Sequence, residues 1–313
     1  MTFVSGIELA RRFYAGVVRP LLAGEPHSAA LLGPGSEVLG FDTERSADHD
    51  WTARVQLFLP RVRDLEIPGT FLGHPTKLIV ATLDDWTRGV LGFDPRHVRE
   101  HDWLATPTQV FAEFTGGAVF HDELGLDALR SDVAWYPDDV WRYVLASQWR
   151  RIEQEEPFVG RCGEVGDELG SAVVAARLVR DLMRLCLLMA RRYPPYSKWL
   201  GSAFARLPVA GKLTPSLTAA LASTTWQDRE RHLVAACETV AETHNALGLT
   251  APIEPRVSEF FDRPFRVIHA ERFVAALLGG SPSRAGAIDQ FVDSTDALGD
   301  RAFTRRVVDC LHG

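Results

Sequence analysis

The chain has 313 residues, 46% of them hydrophobic and 24% charged, with a formal net charge of −7. That length accommodates two domains with cores of their own, and the acidic balance leaves no electrostatic footprint for nucleic acid or an anionic membrane. Four widely separated cysteines, Cys162, Cys186, Cys237 and Cys310, form no CxxC pair; they point to neither a zinc ribbon nor a disulfide framework and fit a reducing cytoplasm.

Residues 7–24, IELARRFYAGVVRPLLAG, place apolar side chains at helical spacing among Glu8, Arg11, Arg12 and Arg19. The expectation is a folded amphipathic helix rather than a targeting segment. SAALLG, residues 28–33, reads as a strand that runs into the glycine turn Gly33-Pro34-Gly35-Ser36. HDWTARVQLFLP follows as a long alternating run, KLIVATL as a second β-rich run and GGAVFHD as a third, with helical spacing across HDWLATPTQVFAEFTGG. Beyond Pro137 the strand signals fade. DDVWRYVLASQWRRIEQEE opens on acids and reads as a long helix, and helical periodicity returns over residues 171–192, 224–247 and 266–278. In the segment 171–192 Arg177, Arg180, Asp181 and Arg184 share one stripe, too charged for a membrane span. The pattern predicts an α/β or α+β domain over 1–134 followed by an all-helical bundle over 135–313.

The most informative stretch is GPGSEVLGFDTERSADHDW, residues 33–51. Continuing the alternation of HDWTARVQLFLP back to Asp48 puts Asp48, Asp50, Thr52, Arg54 and Gln56 on one face of a strand. His49, Trp51, Ala53, Val55, Leu57 and Leu59 fall on the other, so His49 reads as a packed residue rather than a ligand. Two carboxylates two residues apart repel unless a cation bridges them, and Mg²⁺ takes hard oxygen ligands in this way. Gly35 lets backbone N–H groups approach a ligand, and the Ser36 hydroxyl and N–H suit a phosphate. A phosphate cradle beside paired aspartates is the equipment of phosphoryl or nucleotidyl transfer. Arg54, about 13 Å beyond Asp50 along an extended strand, is expected deeper in the cleft, against an acceptor anion or an acid of the helical domain, or else in a surface ion pair.

These residues resemble the signature of the DNA polymerase β-type nucleotidyltransferase superfamily: Gly-Ser, a variable stretch, then Asp-x-Asp on the next strand. The rest of the chain, including DDVWRYVLASQWRRIEQEEPFVGRCGEVGDELGS and RRYPPYSKWLG, looks like a bacterial domain-of-unknown-function family with that fold, and the architecture resembles the kanamycin-type nucleotidyltransferases. GGAVFHDELG resembles the closing strand of the fold. The resemblance implies the α+β form, with a small mixed sheet in the first domain. It also implies that Gly35 and Ser36 hold the triphosphate of an NTP co-substrate, that Asp48 and Asp50 ligate Mg²⁺, and that an NMP passes to a hydroxyl on a small-molecule or other acceptor. The chain departs from the superfamily in one respect. The neighbouring strand KLIVATL lacks the customary third carboxylate: Glu66 precedes it, and Asp84 and Asp85 follow it. Kanamycin-type enzymes take their base from the helical part, which makes Glu164 and Glu168 the candidates within an acid-rich segment that also holds Glu153, Glu155, Glu156 and Asp167. A protein that keeps the fold and binds a nucleotide without transferring it is the other reading.

Two further motifs complete the sequence reading. HVREH, residues 97–101, has the order of some zinc-protease motifs but no third ligand in view, and reads as a solvated helix start. In YPPYSKW, residues 193–199, Lys198 could reach a triphosphate and Tyr193 or Tyr196 could stack on a base, while aromatics plugging a seam explain the same residues. A second copy of the chain is a further candidate partner.

Overall fold

The computed structural model describes residues 3–48, 51–279 and 286–312, with no side-chain placement for Ala47, Asp48 or His312. The fold is α+β. Contacts divide the chain into two units, one comprising the residues up to Asp102 together with Thr108–Trp135, the other Trp103–Pro107 together with the chain from Tyr136 onward.

The first unit is built on a five-stranded mixed sheet. Its strands are β1 (Ser28–Leu31), β2 (Ala53–Phe58), β3 (Thr70–Phe71), β4 (His74–Ala81) and β5 (Ala118–Asp122), in the order β3-β4-β2-β1-β5. β1 lies antiparallel to both β2 and β5, whereas β2 and β4 run parallel with Arg54 opposite Lys77. Helix α1 (Gly6–Phe13), capped by the Ser5 hydroxyl, continues through a π turn and a 3₁₀ turn to Leu22, so the amphipathic segment is helical nearly throughout. Helices α2 (Leu83–Leu91), α3 (Glu100–Ala105, whose residues from Trp103 onward belong to the second unit), α4 (Thr108–Thr115) and α5 (Leu126–Asp132) follow; α3 and α4 break at Thr106-Pro107, as a proline requires.

Alternation along β1 explains why both sheet faces are apolar. Ala29 and Leu31 join Phe13, Val55 and Leu57 in one core, while Ala30 and Leu32 join Phe58, Leu83 and Leu126 in another. The face of β2 expected to be polar is therefore covered as well. Gln56 is buried there, and its amide both accepts from Leu32 N–H (3.0 Å) and donates to the Leu32 carbonyl (2.7 Å). It replaces the ladder bonds that β1 loses as it ends.

Two expected elements are shorter than the alternation suggested. Asp48 ends a 3₁₀ turn, Glu44–Asp48, and the strand begins only at Ala53. Aspartate is a poor strand former, and the β1–β2 ladder has its last pairing at Ala30 with Gln56. His49 and Asp50 lie outside the described residues. Near the C-terminal end, residues 266–267 pair with 258–259 as a two-stranded ribbon, and the helix starts at Glu271.

The second unit is helical: α6 (Asp138–Glu155), α7 (Phe158–Glu164), α8 (Glu168–Met189), α9 (Ser197–Phe204), α10 (Ala210–Ala222), α11 (Trp226–Ala246), α12 (Glu271–Leu278), α13 (Thr295–Gly299) and α14 (Arg301–His312). Helix α6 packs against α8 and α12, and α11 packs against α8 and α10. The fully buried Trp149 of α6 stacks on Phe273 of α12 at 4.1 Å and donates to His244 of α11. The charged stripe of α8 is spent internally: Asp181, 1% exposed, takes two bonds from Arg151, and Arg177 pairs with Glu155. Among the described residues no helix is long and apolar enough to cross a membrane.

Two stability predictions follow from these cores. Truncating Gln56 to alanine strands the N–H and carbonyl of Leu32 in an apolar layer, so urea unfolding should show a loss of about 2–4 kcal/mol. In the helical unit, desolvation raises the Glu156 carboxyl to about 7 despite bonds from the backbone N–H groups of Ile268, His269 and Ala270. Its folded pKa lies above the unfolded value, so its contribution is full below about pH 4.3 and is lost as pH rises through about 7. The stability deficit of Glu156→Gln relative to the unsubstituted protein should accordingly shrink between pH 5 and pH 8, as read by urea titration of tryptophan fluorescence.

Candidate functional site

The chain leaving β1 turns through Gly33 (φ 80°) and Gly35 (φ 150°), backbone conformations that a side chain would strain. The turn is tied down from three sides. Gly33 N–H donates to the Glu113 carbonyl of α4 (3.1 Å), Gly117 N–H donates to the Val38 carbonyl (2.8 Å), and Arg54 Nη2 donates to the Pro34 carbonyl (2.8 Å). The same Nη2 pairs with Glu37 Oε1 at 3.0 Å, with both side chains more than four-fifths buried. Glu37 packs so closely over Gly35 that a Cβ there would meet its carboxylate at 2.4 Å.

Beside this turn opens a cleft of about 480 Å³. Gly35, Ser36 and Glu37 line it from the turn, Ser46, Trp51 and Thr52 from the approach to β2, Arg54 from β2, and Lys77 from β4. In-register partners on parallel strands stand side by side about 4.8 Å apart, so Arg54 and Lys77 form a pair of cations on one face. Against them, among the described lining residues, stands one carboxylate, Glu37. The Nε–H of Arg54 is buried without a hydrogen-bond partner, which leaves the guanidinium a donor to spare.

The sequence-derived residues are distributed as follows. Gly35, Ser36 and Arg54 share the cleft. Arg54 braces the glycine turn, because Glu37 offers a carboxylate within reach. The Asp48–Asp50 segment is flanked in the chain by the lining residues Ser46 and Trp51, with Asp48 described in its backbone alone and Asp50 outside the described residues. Asp84 pairs with Arg96 at 2.7 Å, and Asp85 exchanges hydrogen bonds with Thr82 at the start of α2.

In the helical unit every acid of 153–168 has a partner within that unit. Glu153 pairs with Arg150 and Glu155 with Arg177; Glu156 caps 268–270, and Asp167 caps α8 through Gly170 N–H. Glu164 pairs with Arg263 at 3.2 Å. Glu168 accepts from the buried Arg229 at 2.6 Å and from Trp226 N–H, and the Arg229 bond holds its carboxyl below the usual range. Lys198, the second residue of α9, lies over the ring of Trp199 at 4.9 Å. His97 ends a 3₁₀ turn and is largely exposed, and α3 starts at Glu100, so HVREH does not present its histidines on one helix.

Sequence reasoning missed Glu37 and Lys77. Glu37 sat in the quoted stretch with no periodic signal to single it out, and Lys77 acquires meaning only through the β2–β4 register.

Residues 103–200 match the model of a family described as a domain of unknown function, DUF4037. The DUF4037 match begins at Trp103 and ends at Leu200, within α9. It therefore includes Glu164, Glu168 and Lys198, while every residue that lines the cleft precedes it. Neither the curated proteins nor the solved structures yield a match.

The turn geometry makes a direct prediction. Gly35→Ala should cost about 1–3 kcal/mol in urea unfolding, through its positive φ and the displacement of Glu37 from Arg54.

Proposed function

We propose that the chain is a Mg²⁺-dependent nucleotidyltransferase that moves an NMP from an NTP to a hydroxyl on a small-molecule or other acceptor. The observation that carries this reading is the cleft, lined by a glycine turn, Ser36 and the paired cations Arg54 and Lys77, together with Ser46 and Trp51, which flank Asp48 and Asp50 in the sequence. Phosphate oxygens are hard, multiply charged acceptors, and two cations with a donor to spare beside a serine suit them. Two carboxylates offer Mg²⁺ the oxygen ligands it requires, and the bound ion would neutralise charge developing on the phosphates.

Within this reading the protein's own groups have separate roles. Ser36 and the glycine turn bind the terminal phosphates, Lys77 neutralises them, and Arg54 holds the turn in its binding shape through Pro34 and Glu37. Asp48 and Asp50 hold the metal. Glu37 is the carboxylate nearest these groups among the described lining residues, and its pairing with Arg54 makes it a brace for the cradle. The resemblance to the nucleotidyltransferase superfamily rests on the same turn and aspartates.

A second reading has its own support. Asp84 pairs with Arg96, Asp85 exchanges hydrogen bonds with Thr82 at the start of α2, and Glu164 and Glu168 pair with arginines of the helical unit, so each of these carboxylates already has a structural role. A chain without a base for the acceptor's proton would bind a nucleotide and keep it intact.

One set of assays separates the two. Mg²⁺ with ATP or GTP should raise the melting temperature, and Asp50→Asn or Lys77→Ala should each reduce nucleotide affinity tenfold or more with little change in stability. Unchanged affinity in both variants excludes this cleft as the nucleotide site. Release of pyrophosphate on adding acceptor-containing extract marks transfer, and tight binding with no pyrophosphate marks the second reading.

A further inference from the structure

A second cluster of ligating side chains sits at the opposite end of β1 from the glycine turn. His27 immediately precedes β1, His121 lies in β5 and Glu123 just follows it; strand alternation puts all three on one face of the sheet. One potential ligand atom from each lies within 4.8 Å of the other two. His121 Nε2 is 3.1 Å from Glu123 Oε2, and His27 Nδ1 is 3.9 Å from the same oxygen. In a tetrahedral site with bonds of about 2.0–2.1 Å, ligand atoms stand about 3.3–3.5 Å apart. The two observed distances bracket that spacing, and because the His27 and His121 rings stack with centroids 4.2 Å apart, the His121 ring must turn out of the stack for both nitrogens to face one ion.

We propose that His27, His121 and Glu123 bind one divalent transition-metal ion of the zinc class. Imidazole nitrogens and a carboxylate oxygen form the mixed N/O set such ions prefer, whereas Mg²⁺ favours oxygen alone. His121 Nε2 is buried and, despite its nearness to Glu123, has no hydrogen bond of acceptable geometry. His27, 5% exposed, has its ring fixed by neighbours: the Tyr14 hydroxyl lies 2.8 Å from Nε2 and the Glu25 carbonyl 2.8 Å from Nδ1. Metal binding at Nδ1 replaces the carbonyl contact and leaves Nε2–H to donate to the Tyr14 oxygen, the outer contact that orients a metal-bound histidine. Glu123 also accepts from His27 N–H at 3.1 Å, which holds its carboxylate in place. The three side chains line an open cleft of about 440 Å³ together with Arg19 and Glu25, which leaves room for water to complete the coordination. This inference does not rest on the nucleotidyltransferase reading.

The test is a calorimetric titration of the chelator-treated full chain with Zn²⁺, with Co²⁺ absorption as a readout of geometry. Unsubstituted protein should bind one equivalent with micromolar or tighter affinity and give visible Co²⁺ bands of tetrahedral intensity. His121→Ala and Glu123→Gln should each weaken Zn²⁺ binding at least tenfold, Tyr14→Phe should weaken it less, and Asp50→Asn should leave it unchanged. Glu123 is half exposed, so its variant serves even if the histidine substitution prevents folding. Absence of Zn²⁺ binding to the unsubstituted protein overturns the proposal, as does unsubstituted affinity in Glu123→Gln or loss of binding in Asp50→Asn.

Discussion

The sheet unit depends on how β2 holds the chain that leaves β1. Once β1 ends, Leu32 and Pro34 carry backbone polar groups with no strand partner. Gln56 satisfies the first in both directions, and Arg54 satisfies the second while pairing with Glu37. Two polar side chains, spaced two apart on one strand, thus convert a strand end into a rigid turn. Without them the left-handed glycines would have no fixed conformation to supply, and the cleft would lose one wall.

The same arrangement ties stability to function. Arg54 is the brace of the turn and part of the cleft's cationic surface, so the residue that shapes the site also charges it. Glu37 offsets half of that charge, leaving Lys77 as the cation without a carboxylate across from it in the described lining. In the helical unit charge has a different use: Asp181 and Glu156 are each surrounded by donors, which lets carboxylates occupy positions where an unpartnered charge would cost several kcal/mol.

Much of this was legible in advance. The strands followed from SAALLG, KLIVATL and GGAVFHD, whose apolar runs suit strands covered on both faces, the mixed sheet was implied only by the resemblance, and the helices followed from their caps and periodicity. The glycine turn was legible because only glycine accepts the angles it needs. Periodicity failed at Asp48, where alternation continued in sequence beyond the point at which the ladder stopped. It also misjudged Gln56, since a glutamine in an alternating strand looks the same whether it faces water or replaces missing backbone bonds. His27, His121 and Glu123 gave no local signal at all: His27 and His121 are brought together only by the pairing of β1 with β5, and nothing in HVREH, the histidine pair that did carry a motif, had that support.

The parallel pairing of β2 with β4 has a consequence for how the unit folds. Leu78 and Val80 pack on the core that holds Val55 and Leu57, while Lys77 lies on the cleft side. A one-residue slip between these strands would exchange the two sets, driving an ammonium group into the apolar layer and leaving leucine and valine in the cleft. Misregistered chains are therefore disfavoured by the very lysine that charges the site. The cation works as a proofreader of strand pairing before any ligand is present.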